Sequence, residues 1–223
     1  MRRRRVLPRM SFPVPHAVRA GKMLMTEPNA LSTLHAEYAQ LRRLGSDELT
    51  DDQARSLSYF VRELQLRDAR PSDAAPVPDD ITTWIQNVFA LEDFVARVRR
   101  MPRENRRLQA GSISAEEKAL TRFIRAQRRR FTEARLCTYQ ERRLAAIEGF
   151  SFHPNDDRWF EHFREYRQFT VENRRVPRYR SDVDGERALA AWAAKQRLAY
   201  RQGRLPRERV TALNRVAFWT WGR

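Results

Sequence analysis

Two arginine-rich strings, each built around a proline, contain the residue types best suited to binding phosphate. The first is Arg-Arg-Met-Pro-Arg at residues 99–103, and the second is Arg-Arg-Val-Pro-Arg at residues 174–178. A guanidinium group is planar and donates two parallel hydrogen bonds to a phosphate, and a proline ring restricts the backbone beside it. The spacing therefore predicts a phosphate clamp in each string.

Residue sets for other chemistries are missing from the sequence. The single cysteine, Cys137, excludes an internal disulfide and a thiolate zinc site. The histidines, His16, His35, His153 and His162, are too scattered to predict a metal site, and neither common glycine-rich phosphate motif occurs. No carboxylate pair or catalytic triad stands out. We therefore predict a protein that is not an enzyme and that holds no metal or cofactor.

The net charge points to a polyanionic partner. The chain has 44 Lys and Arg against 28 Asp and Glu among its 223 residues, which gives a formal charge of +16. Residues 1–25 carry +7, residues 26–80 carry −5, and residues 81–152 and 153–223 carry +7 each. A field of this size attracts polyanions, of which nucleic acid is the commonest, so we predict nucleic acid as the partner.

The N-terminal part of the chain differs from the rest in composition. Residues 1–25 contain four consecutive arginines and then three prolines, which predicts a flexible basic arm; a start at Met23 or Met25 is the alternative. Residues 26–68 are acidic with apolar residues at helical spacing, and residues 69–79 form a proline-rich linker. No run of about 18 apolar residues is present, which predicts no membrane helix and a cytoplasmic protein, bound to the nucleoid if bacterial.

The rest of the chain predicts helices alone. Thr50 followed by two aspartates indicates a helix N-cap with an acidic first turn, and no window alternates with the period of a strand. We therefore predict an all-α fold with two tandem three-helix bundles, at residues 80–152 and 153–223. The helical segment at residues 26–68 precedes them and is a candidate degenerate copy.

The two bundles are predicted from an internal repeat. Aligning Trp84 with Trp159 brings four further apolar positions into register, and a proline follows each tryptophan by 18 residues. After six extra residues in the first copy, Gln127 falls on Gln196, and both copies close on a pair of aromatic residues. The helical spacing predicts that Trp84 and Trp159 lie in the cores rather than stacking on bases.

The repeat also selects the arginines that we expect to bind nucleic acid. Five positions are basic in both copies, and three further arginines extend the two strings. Four more arginines lie on the third helix of a copy, where helix-turn-helix proteins carry base-contacting side chains. The predicted binding residues are Arg99, Arg100, Arg103, Arg106, Arg107, Arg128, Arg135, Arg142, Arg143, Arg174, Arg175, Arg178, Arg180, Arg197, Arg204, Arg207 and Arg215. The residues predicted to face outward beside them are Thr138, Tyr139, Thr211 and Asn214. For Arg128 and Arg197 the alternative is pairing with local acids or packing on aromatic rings.

The pattern of the second copy resembles the helicase-associated domain family. The residues that carry the resemblance are Trp159, Val176, Pro177, Leu189, Trp192, Gln196, Arg197, Tyr200, Gly203, Leu205, Arg209 and Leu213. The resemblance extends over about residues 80–222 and implies small all-α domains, often in tandem and often attached to helicase-like proteins, that bind nucleic acid. The sequence departs from the family by one extra residue near the end of each copy, by Ala134 in place of the glycine, and by the lack of a helicase motor.

These observations predict a non-enzymatic DNA-binding protein. Two basic bundles would contact the duplex backbone, and the third helix of each would read bases. Structured RNA is the first alternative, since the same charges fit a different groove. The second alternative is an adaptor, in which residues 26–80 dock a protein partner while the repeats hold nucleic acid.

Overall fold

The computed structural model describes residues 29–69, 79–103 and 113–222, and these residues form helices and no strand. The helices are α1 (Ala30–Leu41), α2 (Asp51–Asp68), α3 (Asp80–Val98), α4 (Ala115–Thr132), α5 (Thr138–Ala145), α6 (Pro154–Asn173), α7 (Glu186–Arg201) and α8 (Arg207–Asn214), with a 3-10 turn at Ser46–Glu48. The predicted all-α fold class is confirmed, and none of the described helices is long and apolar enough to cross a membrane. The predicted basic arm, most of the predicted linker, Arg106 and Arg107 lie outside the described residues.

Polar side chains fix where several helices begin. The Thr50 hydroxyl accepts a hydrogen bond from the backbone N–H of Gln53, whose side chain accepts one from the Thr50 N–H. Asp79 and Ser114 accept similar bonds at the starts of α3 and α4. Each bond satisfies an N–H group that the first helical turn leaves without a partner. The predicted cap at Thr50 is therefore confirmed.

The acidic segment and the first predicted copy share one hydrophobic core. Helix α2 packs against α3 and α5, and α1 packs against α2 and α5. Leu34 from α1 and Phe60 from α2 belong to the same buried cluster as Trp84 from α3 and Leu144 from α5. Trp84 is 4% exposed, which confirms its predicted core position. Helices α1 and α2 thus form a layer over one face of the first copy.

A second core lies within α6–α8. It contains Trp159 from α6, Trp192 from α7 and Leu213 from α8, and the predicted core position of Trp159 is confirmed. One difference from the first core is visible at a pair of aligned positions. Ile85 is completely buried, whereas its counterpart Phe160 is 51% exposed. The face of α6 that corresponds to the covered face of α3 is therefore open to solvent.

Candidate nucleic-acid interface

The first arginine of each string reverses the direction of the chain. Helix α3 ends at Val98, and Arg99 follows with φ 56° in the left-handed region. Arg174 occupies the same place after α6, with φ 50°. Such a residue commonly ends a helix, because the left-handed conformation turns the backbone out of the helical path. Both side chains are exposed, so both arginines remain available to an external phosphate.

The second arginine of the first string already binds a carboxylate of the protein. The Arg100 guanidinium donates to the two oxygens of Glu117 at 2.5 and 3.3 Å, and to the carbonyl of Met101 at 3.1 Å. It also lies 5.6 Å from the centre of the Phe94 ring. The start of α4 therefore supplies a counter-charge to Arg100 from within the protein.

The same contacts recur in the second string. Arg175 donates to both oxygens of Glu186, at the start of α7, and to the carbonyl of Val176 at 3.2 Å. Its guanidinium lies 5.1 Å from the centre of the Phe169 ring. Arg100 and Arg175 therefore hold their loops together from within. These internal contacts give both arginines a structural role.

The carboxylate of Glu186 organises the rest of its loop. It accepts hydrogen bonds from the backbone N–H of Arg178 at 2.7 Å and from the Ser181 hydroxyl at 2.6 Å, in addition to Arg175. The hydrogen bonds from Arg175 and Ser181 lower the pKa of Glu186 to about 2, so the carboxylate is ionised at neutral pH. In the first copy Glu117 accepts from the backbone N–H of Arg103 at 2.8 Å. These bonds fix the backbone of both loops.

Three arginines of these two loops have side chains that are exposed to solvent. Arg103 in the first loop is exposed, as are Arg178 and Arg180 in the second. None of the three makes an ion pair with another described residue. The loop arginines thus divide into a pair that binds internal carboxylates and a group that remains open to a ligand.

The glutamine–arginine pair of each copy has an internal role. Gln127 accepts a hydrogen bond from the Trp84 indole at 3.0 Å, and Gln196 accepts one from the Trp159 indole at 2.9 Å. The arginine after each glutamine donates to a backbone carbonyl of the C-terminal segment of its copy, at 2.9 Å for Arg128 and 2.7 Å for Arg197. Their guanidinium groups lie 5.9 and 4.6 Å from aromatic rings. Packing on aromatic rings, the alternative raised for both arginines, is confirmed.

The turn before the third helix is alike in the two copies. Ala134 and Gly203 both have positive φ, at 52° and 64°. The arginine that follows each is exposed. Arg135 lies 3.4 Å from a carboxylate oxygen of Glu133, and Arg204 donates to the side chain of Gln202. These contacts are local, surface-exposed and weak.

The prediction that the third helix of the first copy presents Tyr139 and Arg143 to solvent is wrong. Both side chains are completely buried beneath α1 and α2. Arg143 donates to the two oxygens of Glu63 at 2.9 and 3.0 Å and to Glu92 at 2.6 Å. The Tyr139 hydroxyl donates to Glu63 at 2.9 Å. The side chains of Tyr139 and Arg143 are therefore not available to an external ligand.

Two exposed residues of α5, Thr138 and Arg142, contact the covering helices α1 and α2. Asp52 of α2 accepts the backbone N–H of Thr138 at 3.2 Å, and Glu37 of α1 forms an ion pair with Arg142. Helix α8 in the second copy carries no such layer. Arg207, Thr211 and Arg215 are exposed there, and Asn214 accepts a hydrogen bond from the Trp221 indole at 2.8 Å.

Sequence reasoning missed a stripe of basic residues on α4. Lys118, Arg122, Arg125 and Arg129 are all exposed and are spaced at four, three and four residues, which places them on one face of the helix. The first three, with Arg103 from the loop, line a hollow of about 440 Å³, and Arg122, Arg125 and Arg129 line a neighbouring hollow of about 330 Å³. No acidic residue belongs to the described lining of either hollow. We call these five residues the α4 basic surface.

The helical spacing was the signal that could have revealed this surface. The choice of binding residues required a basic side chain in both copies, and Arg122, Arg125 and Arg129 align with Ala191, Ala194 and Leu198. The requirement therefore removed these three arginines, whereas Lys118 aligns with Arg187 and met it, but only arginine positions were selected.

One comparison with known proteins finds a match over part of the chain. Residues 156–221 match the family model of the helicase associated domain. This match spans all but the first residues of α6 and all of α7 and α8, and it includes the Trp159–Gln196 bond and the Arg175–Glu186 pair. The helicase associated domain is a non-catalytic domain associated with helicase-related proteins. No curated protein and no solved structure matches the chain.

Proposed function

We propose that this protein binds nucleic acid without catalysing a reaction on it, and that its preferred ligand is the backbone of duplex DNA. The observation that carries the proposal is the α4 basic surface. It collects five cationic side chains around two adjoining hollows whose described linings contain no acid. Phosphate groups are the counter-charge that such a surface fits best.

The dimensions of the surface suit a duplex backbone. Residues 118 and 129 are eleven positions apart, which corresponds to about 16 Å along the helix axis at about 1.5 Å per residue. Duplex DNA carries one negative charge per about 1.7 Å of its axis, so a stripe of this length lies opposite several phosphates. The acids of the first turn of α4 are already engaged, since Glu116 pairs with Arg97 and Glu117 with Arg100.

We also propose that residues 80–152 form a second, more divergent copy of the domain matched at residues 156–221. The support is a set of contacts that recur at aligned positions: a tryptophan–glutamine bond, an arginine–glutamate pair and an arginine–carbonyl bond. A stacked aromatic pair recurs as well. Phe131 lies on Phe152, and Tyr200 lies on Trp221, each at 4.1 Å between ring centres.

The two copies would then contribute differently to binding. Helix α5 is covered, so the first copy contributes phosphate contacts through α4 and Arg103. Helix α8 is open, so Arg207 and Thr211 are the side chains that we expect to approach base edges. The adaptor hypothesis receives less support, because Glu37 and Glu63 of the acidic segment pair with arginines of α5 within the same chain.

Binding measured across a salt series tests this proposal. Fluorescence anisotropy of the purified protein is compared for a random-sequence DNA duplex and an RNA hairpin of similar length. The proposal predicts tighter binding to the duplex, with log K falling linearly against log salt, by about 0.9 for each phosphate neutralised. Tighter binding to the hairpin would favour the RNA alternative. Absence of binding to both at low salt would refute the proposed function.

A further inference from the structure

The loop at residues 174–186 carries a feature that duplex binding does not use. Tyr179 lies between Arg178 and Arg180, and its side chain is 64% exposed. We propose that Tyr179 is a stacking site for an unpaired nucleobase, with Arg178 and Arg180 contacting the phosphates on either side. The proposal rests on the proposed nucleic-acid binding and specifies a single-stranded segment as the ligand of this loop.

The backbone that carries Tyr179 is held on both sides. Before it, Pro177 is buried and the N–H of Arg178 is bound to Glu186 at 2.7 Å. After it, the Ser181 hydroxyl is bound to the same carboxylate at 2.6 Å. Anchoring residues 178 and 181 to one buried carboxylate restrains the backbone around the tyrosine before any ligand arrives, which reduces the entropy lost on binding.

The environment of Tyr179 differs from that of the other tyrosines in the described part of the second copy. Tyr166 is completely buried, and Tyr200 is stacked on Trp221. Tyr179 contacts no aromatic ring among the described residues and is 64% exposed, so its ring is accessible to a base. Every base presents a π face, and stacking on an exposed aromatic residue beside cationic groups is a common way to bind single strands.

The chemistry of the loop favours a single strand over a duplex at this position. Bases inside a duplex are stacked on both faces, whereas an unpaired base can offer a free face to a tyrosine. The aligned position in the first copy is Glu104, which has neither a ring nor a positive charge. The two aspartates, Asp182 and Asp184, come after Ser181, so the cationic part of the loop is confined to residues 174–180. The predicted site therefore belongs to the second copy alone.

Three variants of the full chain test the assignment. Tyr179→Ala removes the ring, Tyr179→Phe keeps it, and Phe218→Ala removes another exposed aromatic side chain as the matched control. Each variant is titrated with a fluorescein-labelled oligothymidylate and with a blunt duplex of equal length, and circular dichroism confirms that each is folded. We expect Tyr179→Ala to weaken binding to the single strand by about 5-fold or more, which corresponds to the loss of one stacked base, and to change duplex binding by less than about 2-fold.

The controls separate this inference from the proposed function. Tyr179→Phe and Phe218→Ala are expected to bind the single strand as the wild type does. Equal binding of the single strand by Tyr179→Ala and the wild type would overturn the stacking site while leaving duplex binding intact. An equal loss on single strand and duplex would also overturn it. Single-strand binding that depends on Tyr179, without duplex binding by the wild type, would support the stacking site and refute the duplex proposal.

Discussion

Replacing Arg143 with methionine would test the buried ion-pair cluster that joins α5 to α2 and α3. The side chains of Arg143 and Glu63 are both completely buried, and Arg143 donates three hydrogen bonds of 2.6 to 3.0 Å to Glu63 and Glu92. Methionine has a similar length but no charge, so it leaves Glu63 buried with fewer partners. Removing one partner of a buried ion pair lowers the unfolding free energy by about 3–5 kcal/mol.

The neighbouring residue provides a matched control for this prediction. Arg142 also forms an ion pair, with Glu37, but the two side chains are 43% and 48% exposed. Exposed pairs contribute about 0.2–1 kcal/mol, so Arg142→Met is expected to change the unfolding free energy by no more than that. Urea denaturation followed by circular dichroism measures both variants. Equal effects of the two substitutions, or a loss below about 1 kcal/mol for Arg143→Met, would refute the assignment of a buried pair.

The pH dependence of the same variant provides a second check. Burial acts to raise the pKa of Glu63, but Arg143, the Tyr139 hydroxyl and Arg67 outweigh it and hold the pKa below the ordinary value of 4.5. The stabilisation from ionised Glu63 is therefore present above pH 4.5 and is lost as the pH falls through the lowered pKa. Without Arg143 the carboxylate is less well compensated. We expect the difference between wild type and Arg143→Met to shrink below pH 4.5.

Three further predictions concern contacts of the second copy and the turn before the third helix. Gln196→Leu leaves the buried Trp159 indole N–H without its acceptor and should lower the unfolding free energy by about 1–3 kcal/mol in urea denaturation; an unchanged value would contradict the bond. Ala134→Gly should raise the unfolding free energy by about 0.5–1 kcal/mol, because Ala134 has φ 52° and glycine adopts a positive φ more readily than alanine. Gly203→Ala should lower the unfolding free energy for the same reason, since Gly203 has φ 64°. Glu186→Gln should reduce the pH dependence of the melting temperature between pH 4.5 and 2, since ionised Glu186 contributes stability above pH 4.5 that is lost towards its pKa of about 2. A wild-type pH profile in that variant would refute the role assigned to this carboxylate.

The positions of helices and core aromatics were predictable because they depend on local patterns. Apolar residues repeat with the helical period in α3 and α6, and Thr50 with the residues after it forms a complete cap. Such signals lie within a few residues of the feature that they predict. The tertiary contacts of the arginines do not share this property.

The partners of the arginines were not predictable from local spacing. Glu63 lies 80 residues before Arg143, and only the packing of α2 on α5 brings the two together. The sequence around Arg143 therefore did not indicate that its side chain is buried. The apolar spacing of α2 indicates that it covers another helix, but it does not identify which one.

Requiring that an arginine recur in both predicted copies selected several residues that the structure places in internal contacts. Arg100 and Arg175 recur because each closes its loop on a carboxylate, and Arg128 and Arg197 recur because each ties the C-terminal segment to its copy. Contacts that hold the fold together can recur at aligned positions without any role in binding. On the proposed surface of α4, Arg122, Arg125 and Arg129 have no basic counterpart in α7.

The most direct test of the central claim compares two variants of equal net charge. The first replaces Lys118, Arg122 and Arg129 of the α4 basic surface with alanine. The second replaces with alanine three arginines that pair more closely with described carboxylates, namely Arg62, Arg97 and Arg142. In the first variant, Arg129 lies 3.9 Å from a carboxylate oxygen of Glu133. Duplex DNA binding is then measured for both across a salt series.

Removing the stripe is expected to weaken duplex binding and to reduce the slope of log K against log salt by about 3, at about 0.9 per phosphate contact. The control variant is expected to keep a slope close to that of the wild type. Equal slopes for the two variants would show that binding depends on total charge and not on the α4 basic surface, which would contradict the proposed interface.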